Sequence, residues 1–262
     1  MSQVRAPQVN QEQILAGLLV ADLEQQLELR FQPLLAVNQP PALAVEALLR
    51  WCHPVLGWVP PTQFVQIAEQ YMLMRRLTVW VIEQSFRCLQ AWRQTHLDVQ
   101  LSLNISAHDL QSNYLVQTLT SASQTYQIEP TSITLEVTET LPVQSRALAQ
   151  SCVLQLLRLG FKVALDDFGS GYANMQQLTL LPVNRIKLDR SLIRYSPDSA
   201  RQQHVLRSLV RMAHDMDIDV VAEGVETSRE YHVLKECGCD YLQGFFIAMA
   251  LSEEELQQWW QR

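Results

Sequence analysis

Ten polar side chains recur at one place in the pattern of this chain, near the end of an otherwise apolar run. Eight short runs rich in Val, Ile and Leu read as strands covered on both faces: LRFQPLL, AVEALLRW, VQLSLNIS, ITLEVTE, KVALDDF, RIKLDR, VVAEGV and YLQGFF. In chain order they carry Gln32, then Glu46, Asn104, Glu136, Asp166 with Asp167, Lys187 with Asp189, Glu223 and Gln243. An unpaired carboxylate is costly to bury, so each of these acids needs a reason. Glu46, Glu136, Asp166, Asp167 and Glu223 stand against a single strand cation, Lys187. Two like charges ~4 Å apart repel by roughly 4 kcal/mol at an effective dielectric near 20. Bound divalent cations remove that repulsion. Carboxylates plus an Asn amide oxygen are hard ligands suited to Mg²⁺ or Mn²⁺, and two ions fit the acid count better than one. Pairing with helix arginines accounts for one such acid but poorly for five at matching positions.

The elements that must position these groups alternate with helical signals. Leu77, Trp80, Val81, Cys88, Leu89 and Trp92 repeat at helical spacing, as do Leu148, Cys152, Leu156 and Leu159, with Gly160 as a C-terminal stop. Thr227 with Glu230, and Ser252 with Glu255, form capping-box patterns at two helix starts. Eight strands alternating with helices predict an α/β chain folded as a (β/α)8 TIM-like barrel, whose strand ends meet at one mouth where barrel active sites form. An open doubly wound sheet is the competing architecture, but G-x-G-x-x-G is missing after the first strand. Residues 1–23 read as a lead-in helix or a linker to another module, and 24–262 as the barrel. There is no internal repeat or low-complexity tract.

The chain has 262 residues, 48% of them hydrophobic, enough for one large core, and a formal net charge of −7. That charge argues against a DNA-binding surface. Five scattered cysteines read as free thiols in a reducing compartment, and Cys237-Gly238-Cys239 has no second pair to complete a zinc site. No run approaches the ~20 apolar residues that span a bilayer, and no signal-peptide pattern opens the chain; the expectation is a cytoplasmic protein. G-x-S-x-G, H-E-x-x-H and P-loop motifs are absent, and the six histidines form no metal spacing. The Gly169-Ser170-Gly171 stretch is a weak phosphate signal by itself and gains weight from the two acids before it.

These residues resemble the EAL domain family of bacterial phosphodiesterases specific for cyclic di-GMP. The resemblance begins with Glu46-Ala47-Leu48 and Leu49-Arg50-Trp51. It also takes in FQP from Phe31, HP…G..P from His53 to Pro60, Ala68-Glu69, NIS from Asn104 and EVTE from Glu136 to Glu139. DDFGSGY from Asp166 to Tyr172, KLD from Lys187, AEGVE from Ala222 to Glu226 and QG at Gln243 complete it, in the family's order. It implies a barrel whose first strand runs antiparallel to the rest. It implies that Glu46, Asn104, Glu136 and Asp166 hold one Mg²⁺ or Mn²⁺, that Asp166, Asp167 and Glu223 hold a second, and that Ca²⁺ inhibits. Lys187 then contacts the attacking water or the phosphate, with Glu46 and Glu223 completing the catalytic set. Gln32, Arg50, Asp189 and Gln243 match substrate-binding positions. Glu139 matches the acid that anchors the loop from Phe168 through Gly169, Ser170 and Gly171 to Tyr172, which is associated with dimer contacts and with ordering of the second metal, and Glu226 supports the site.

The implied reaction is hydrolysis of cyclic di-GMP to linear 5′-pGpG by two-metal-activated water, in a homodimer controlled by an upstream sensor or regulatory module. Two departures stand out: Ala250 where the family has Pro, and Ala173-Asn174-Met175 where Ser-Ser-Leu is common. Neither touches a ligand position. The competing functions are a catalytically weak cyclic di-GMP receptor or protein-interaction module, the same chemistry on another cyclic dinucleotide or pGpG, and a barrel using metal-stabilised enolates.

Overall fold

The structure, a computed structural model, describes residues 10–37, 43–138, 146–169 and 175–261. In chain order the strands are β1 (Leu27–Ala36), β2 (Leu43–His53), β3 (Gly57–Val59), β4 (Val99–Ile105), β5 (Ile133–Thr138), β6 (Lys162–Phe168), β7 (Arg185–Leu188), β8 (Asp219–Ala222) and β9 (Tyr241–Gln243). The helices are α1 (Gln11–Val20), α2 (Leu23–Gln26), α3 (Pro61–Gln70), α4 (Met74–Gln94), α5 (Tyr114–Tyr126), α6 (Arg146–Arg158), α7 (Met175–Leu180), α8 (Arg190–Ile193), α9 (Ala200–His214), α10 (Ser228–Cys237) and α11 (Glu253–Trp260).

The strands form one sheet in the order β1-β9-β8-β7-β6-β5-β4-β2-β3, closed on itself by β1 pairing with β2. β1 is antiparallel to both β2 and β9, whereas β2, β4 and β5 to β9 run parallel. The result is an eight-stranded α/β barrel. All eight expected runs form strands. The ninth, β3, is a three-residue hairpin partner of β2 outside the ring, too short for periodicity to reveal. One expectation is corrected, and one helical stripe is refined. The YLQGFF run stops being a strand at Gln243, because the chain turns at Gly244, where a Cβ would lie 2.2 Å from the backbone N and O of Val225. And α6 buries Ala149, Cys152, Val153 and Leu156, leaving Leu148 and Leu159 exposed, because the buried stripe is set by which face meets the barrel.

Alternation places every second strand residue against the helix layer. Val163 and Leu165 on β6 and Ile186 and Leu188 on β7 are buried there in the main core, which Phe86, Leu89 and Trp92 of α4 also enter. A second cluster joins Ile14 and Leu18 of α1 to Trp51, Phe64 and Trp80. Both expected capping boxes are present, at Thr227 on α10 and Ser252 on α11.

Candidate active site

Residues two apart on a strand share a face, so Lys187 and its neighbours point into the barrel. The long β1–β2 pair sets Gln32 opposite Glu46. Glu46 is the fourth residue of eleven-residue β2, not near its end as the sequence pattern suggested, because β2 continues past the barrel rim into the β3 hairpin. The rest lie toward the C-terminal halves of their strands or just beyond: Asn104 faces Glu136 across β4 and β5, Asp166 is two residues short of the end of β6, and Glu223 follows β8.

Lys187 sits at the centre, 1% exposed. Its Nζ lies 2.5 Å from Glu136, 2.8 Å from Glu223, 3.2 Å from Asp166 and 3.3 Å from Glu46. Glu46 also accepts from the Asn104 amide at 2.6 Å and the Gln243 amide at 2.8 Å. Adjacent strand residues normally face opposite ways. Here the β6–β7 register shifts after Leu165 and Asp167 takes a left-handed backbone, φ 55°. Asp166, Asp167 and Glu223 thereby bring one carboxylate oxygen each within 4.8 Å of one another.

One ammonium does not neutralise five carboxylates, and the proton affinities record it. Burial pushes Glu223 up to about 8, with Asp166 and Glu46 adding to the shift against the pull of Lys187. Burial, then Glu46, holds Glu136 well above the carboxylate range, and burial with Asp166 raises Asp167. Glu46 is lowered: burial opposes its ionisation, but Lys187 and the two amides outweigh it. Lys187 is raised well above the ordinary lysine value, because the acids overcome the penalty of burial. Glu136 Oε1 and Asp166 Oδ1 are buried without a hydrogen bond. For Asp166 Oδ1, the 3.2 Å approach of Nζ is charge proximity outside hydrogen-bond geometry. Orphaned carboxylate oxygens among all-oxygen donors are what hard divalent cations require. The residues present fit such ions.

A cavity of about 280 Å³ opens over this cluster, lined by Gln32, Glu46, Asp189, Glu223, Glu226 and Gln243 together with Arg190 and Phe245. Asp189 caps α8 through the Ser191 N–H, and Glu226 pairs with Arg190. The Gln32 amide donates to the Ala248 carbonyl. Arg50 is apart from this cavity. It donates to the Leu49 carbonyl and lines a second, apolar cavity of about 310 Å³ between α3, α4 and the strands, which meets the site at Asn104. Phe168 is buried in the core and Gly169 begins the turn after it; Glu139, Ser170 and Gly171 lie outside the described residues. Sequence reasoning passed over Arg190 and Phe245. Both directly follow a motif it used, Lys187-Leu188-Asp189 and Gln243-Gly244, and that adjacency is the signal available.

A parallel barrel closed by one antiparallel strand, with an acid ring at its C-terminal mouth, defines the class. The EAL domain family model matches residues 17–250, and the chain belongs to that family. It is 35% identical to the cyclic di-GMP phosphodiesterase PA2567 of Pseudomonas aeruginosa, over 98% of this chain and 45% of that protein. It is 32% identical to the cyclic di-GMP phosphodiesterase PdeR of Escherichia coli, over 90% and 36%. The chain thus spans less than half the length of these curated relatives. Among solved structures it is similar to the PaMucR phosphodiesterase in complex with c-di-GMP, with TM-score 0.84 and 32% identity over 93% of this chain and 99% of that one. It is also similar to the EAL enzyme Bd1971 in its cAMP- and cyclic-di-GMP-bound form, with TM-score 0.86 and 28% identity over 95% and 68%. Among the described residues no helix is long and apolar enough to cross a membrane.

Proposed function

We propose that this chain hydrolyses cyclic di-GMP to linear 5′-pGpG, using two Mg²⁺ or Mn²⁺ ions held by the acid ring. The observation that carries the reading is the pair of buried oxygens on Glu136 and Asp166 that accept no hydrogen bond, in a chain whose relatives are named for this activity. Glu46, Asn104, Glu136 and Asp166 hold one ion; Asp166, Asp167 and Glu223 hold the other. When bound, the ions make water a nucleophile near neutral pH and offset the phosphodiester's charge. The side chains do the rest. Lys187 is held firmly protonated, so it serves as a fixed charge and donor toward phosphoryl oxygen rather than as a base. Gln243 and Asn104 orient Glu46. Gln32 and Asp189 present polar groups to the nucleotide, and Arg50 meets it from the second cavity. Phe245, 65% exposed at the cavity rim, offers a ring for a nucleobase to stack on.

The activity resides in residues 24–262, with 1–23 as a lead-in. The relatives' greater length supports an upstream regulatory module, and a homodimer is the proposed assembly. Five free cysteines suit the cytoplasm. The test is chromatography of products from cyclic di-GMP with Mg²⁺ or Mn²⁺, against EDTA and Ca²⁺ controls. Metal-dependent pGpG, absent with EDTA or Ca²⁺, is the expected result. Tight nucleotide binding without product would make the chain a receptor instead.

A further inference from the structure

Asp109, 1% exposed, is a buried carboxylate that the proposed chemistry does not use. It opens a single 3-10 turn, Asp109–Gln111, after β4, five residues beyond Asn104. Among the described residues no cation lies within ion-pair distance of it. Four hydrogen bonds satisfy it instead. Its Oδ2 accepts from the Ser106 N–H at 3.0 Å, the Ser106 hydroxyl at 2.9 Å and the Thr78 hydroxyl at 2.9 Å, and its Oδ1 accepts from the Tyr114 hydroxyl. The Asp109 N–H returns a bond to Ser106 Oγ at 3.2 Å. The guanidinium of Arg75 lies 4.9 Å from the centre of the Tyr114 ring.

These contacts join three elements at one point. Thr78 and Arg75 belong to α4, Tyr114 opens α5, and Ser106 is two residues past Asn104. At Asn104 the ladder is one-sided: β4 pairs with β2 no further than Leu103 opposite Ala47, and with β5 to Ile105 opposite Val137. Asn104 itself is exposed on one side and fixed through its 2.6 Å bond to Glu46. A buried charge held only by donors is expensive to maintain, and it persists where it over-determines a local geometry.

We propose that Asp109 is a positioning residue. It ties the chain beyond β4 to α4 and α5, so that the Asn104 amide oxygen is aimed at the ion held with Glu46. This rests on the reading of Asn104 as a metal ligand.

The test is Mn²⁺ binding by calorimetry on the intact chain, with turnover and melting temperature measured alongside. Asp109→Asn keeps the shape and cannot accept all four bonds; its Mn²⁺ affinity should fall roughly tenfold, the scale seen when groups supporting a ligand are removed. Turnover should recover at saturating Mn²⁺, with the cyclic di-GMP KM unchanged. Tyr114→Phe removes one bond and should shift Mn²⁺ affinity in the same direction by about a third as much on a logarithmic scale. If Asp109→Asn lowers the melting temperature but binds Mn²⁺ as the parent does, the proposal is overturned. Should that variant fail to fold, Tyr114→Phe and Thr78→Val decide it by the same criterion. Asn104→Ala separates the two readings. Unchanged Mn²⁺ affinity there refutes the ligand assignment. Weakened affinity there with a normal Asp109→Asn refutes only the positioning role.

Discussion

The barrel interior holds two polar layers, one at each end, and they are built on opposite rules. At the N-terminal end of the strands the charged groups are few, two cations and one acid, and each cation has a polar partner. Arg185 lies 3.2 Å from Asp219, its neighbour across β7 and β8, and its guanidinium sits 4.2 Å from the centre of the Tyr241 ring. Lys162 reaches Gln100 at 3.4 Å. At the C-terminal end four acids surround Lys187, with Asp167 beside them and two amides on Glu46, and Glu136 Oε1 and Asp166 Oδ1 accept no hydrogen bond. The same strands supply both layers: Arg185 and Lys187 are two residues apart on β7, and Lys162 and Asp166 four apart on β6. The contrast teaches that polarity inside a barrel does not by itself mark a site. An excess of several like charges crowded at one mouth does, because a ligand of opposite charge is what answers it.

The comparison breaks first at the acids. Glu46→Gln or Asp166→Asn should lower turnover by about 10²-fold or more, measured with saturating Mn²⁺; near-parental rates would remove the ligand assignment. Lys187→Ala should come next. It should cut turnover by about 10²-fold while nucleotide binding persists, and in EDTA it should destabilise the chain to urea by about 3–5 kcal/mol, since the acids lose their one counter-charge. Loss of binding with an unchanged rate constant would assign Lys187 a different role.

A third expectation concerns pH. Glu223 titrates near 8 in the folded chain and Glu136 is also raised. A raised carboxylate binds its proton more tightly folded than unfolded. Its contribution is therefore complete below the ordinary value of about 4.5 and is lost as pH climbs toward 8. The melting temperature of metal-free protein should fall across that window, and Mn²⁺ should restore more stability at pH 8 than at pH 5. A flat or rising metal-free curve would contradict the uncompensated cluster. The smallest effect belongs to the N-terminal layer. Arg185→Met leaves Asp219 half-exposed to water, so it should cost about 1–2 kcal/mol in urea and leave turnover unchanged. A large loss of turnover would erase the distinction between the two layers.

The sequence by itself determined the barrel's strand count, the two capping boxes and the identity of the acid ring. Those depend on local patterns: apolar runs of strand length, Ser or Thr three residues before Glu, and polar residues that interrupt Val-rich segments. It also carried enough motif to expect an antiparallel first strand. It misplaced what depends on partners distant in the chain. Glu46 reads as the end of a strand until the β3 hairpin shows that β2 runs on. Leu148, Cys152, Leu156 and Leu159 share a helical spacing, yet only Cys152 and Leu156 are buried, because docking chose the face. Strict alternation would turn Asp166 and Asp167 away from each other, and only the register shift against β7 with the left-handed Asp167 brings both to Glu223. Arg50 matches a substrate-binding position by motif, yet the structure sets it in the neighbouring apolar cavity. Spacing along a chain specifies which side chains share a strand face, whereas register, docking face and local bulges arise from contacts between segments, and only the tertiary structure decided those.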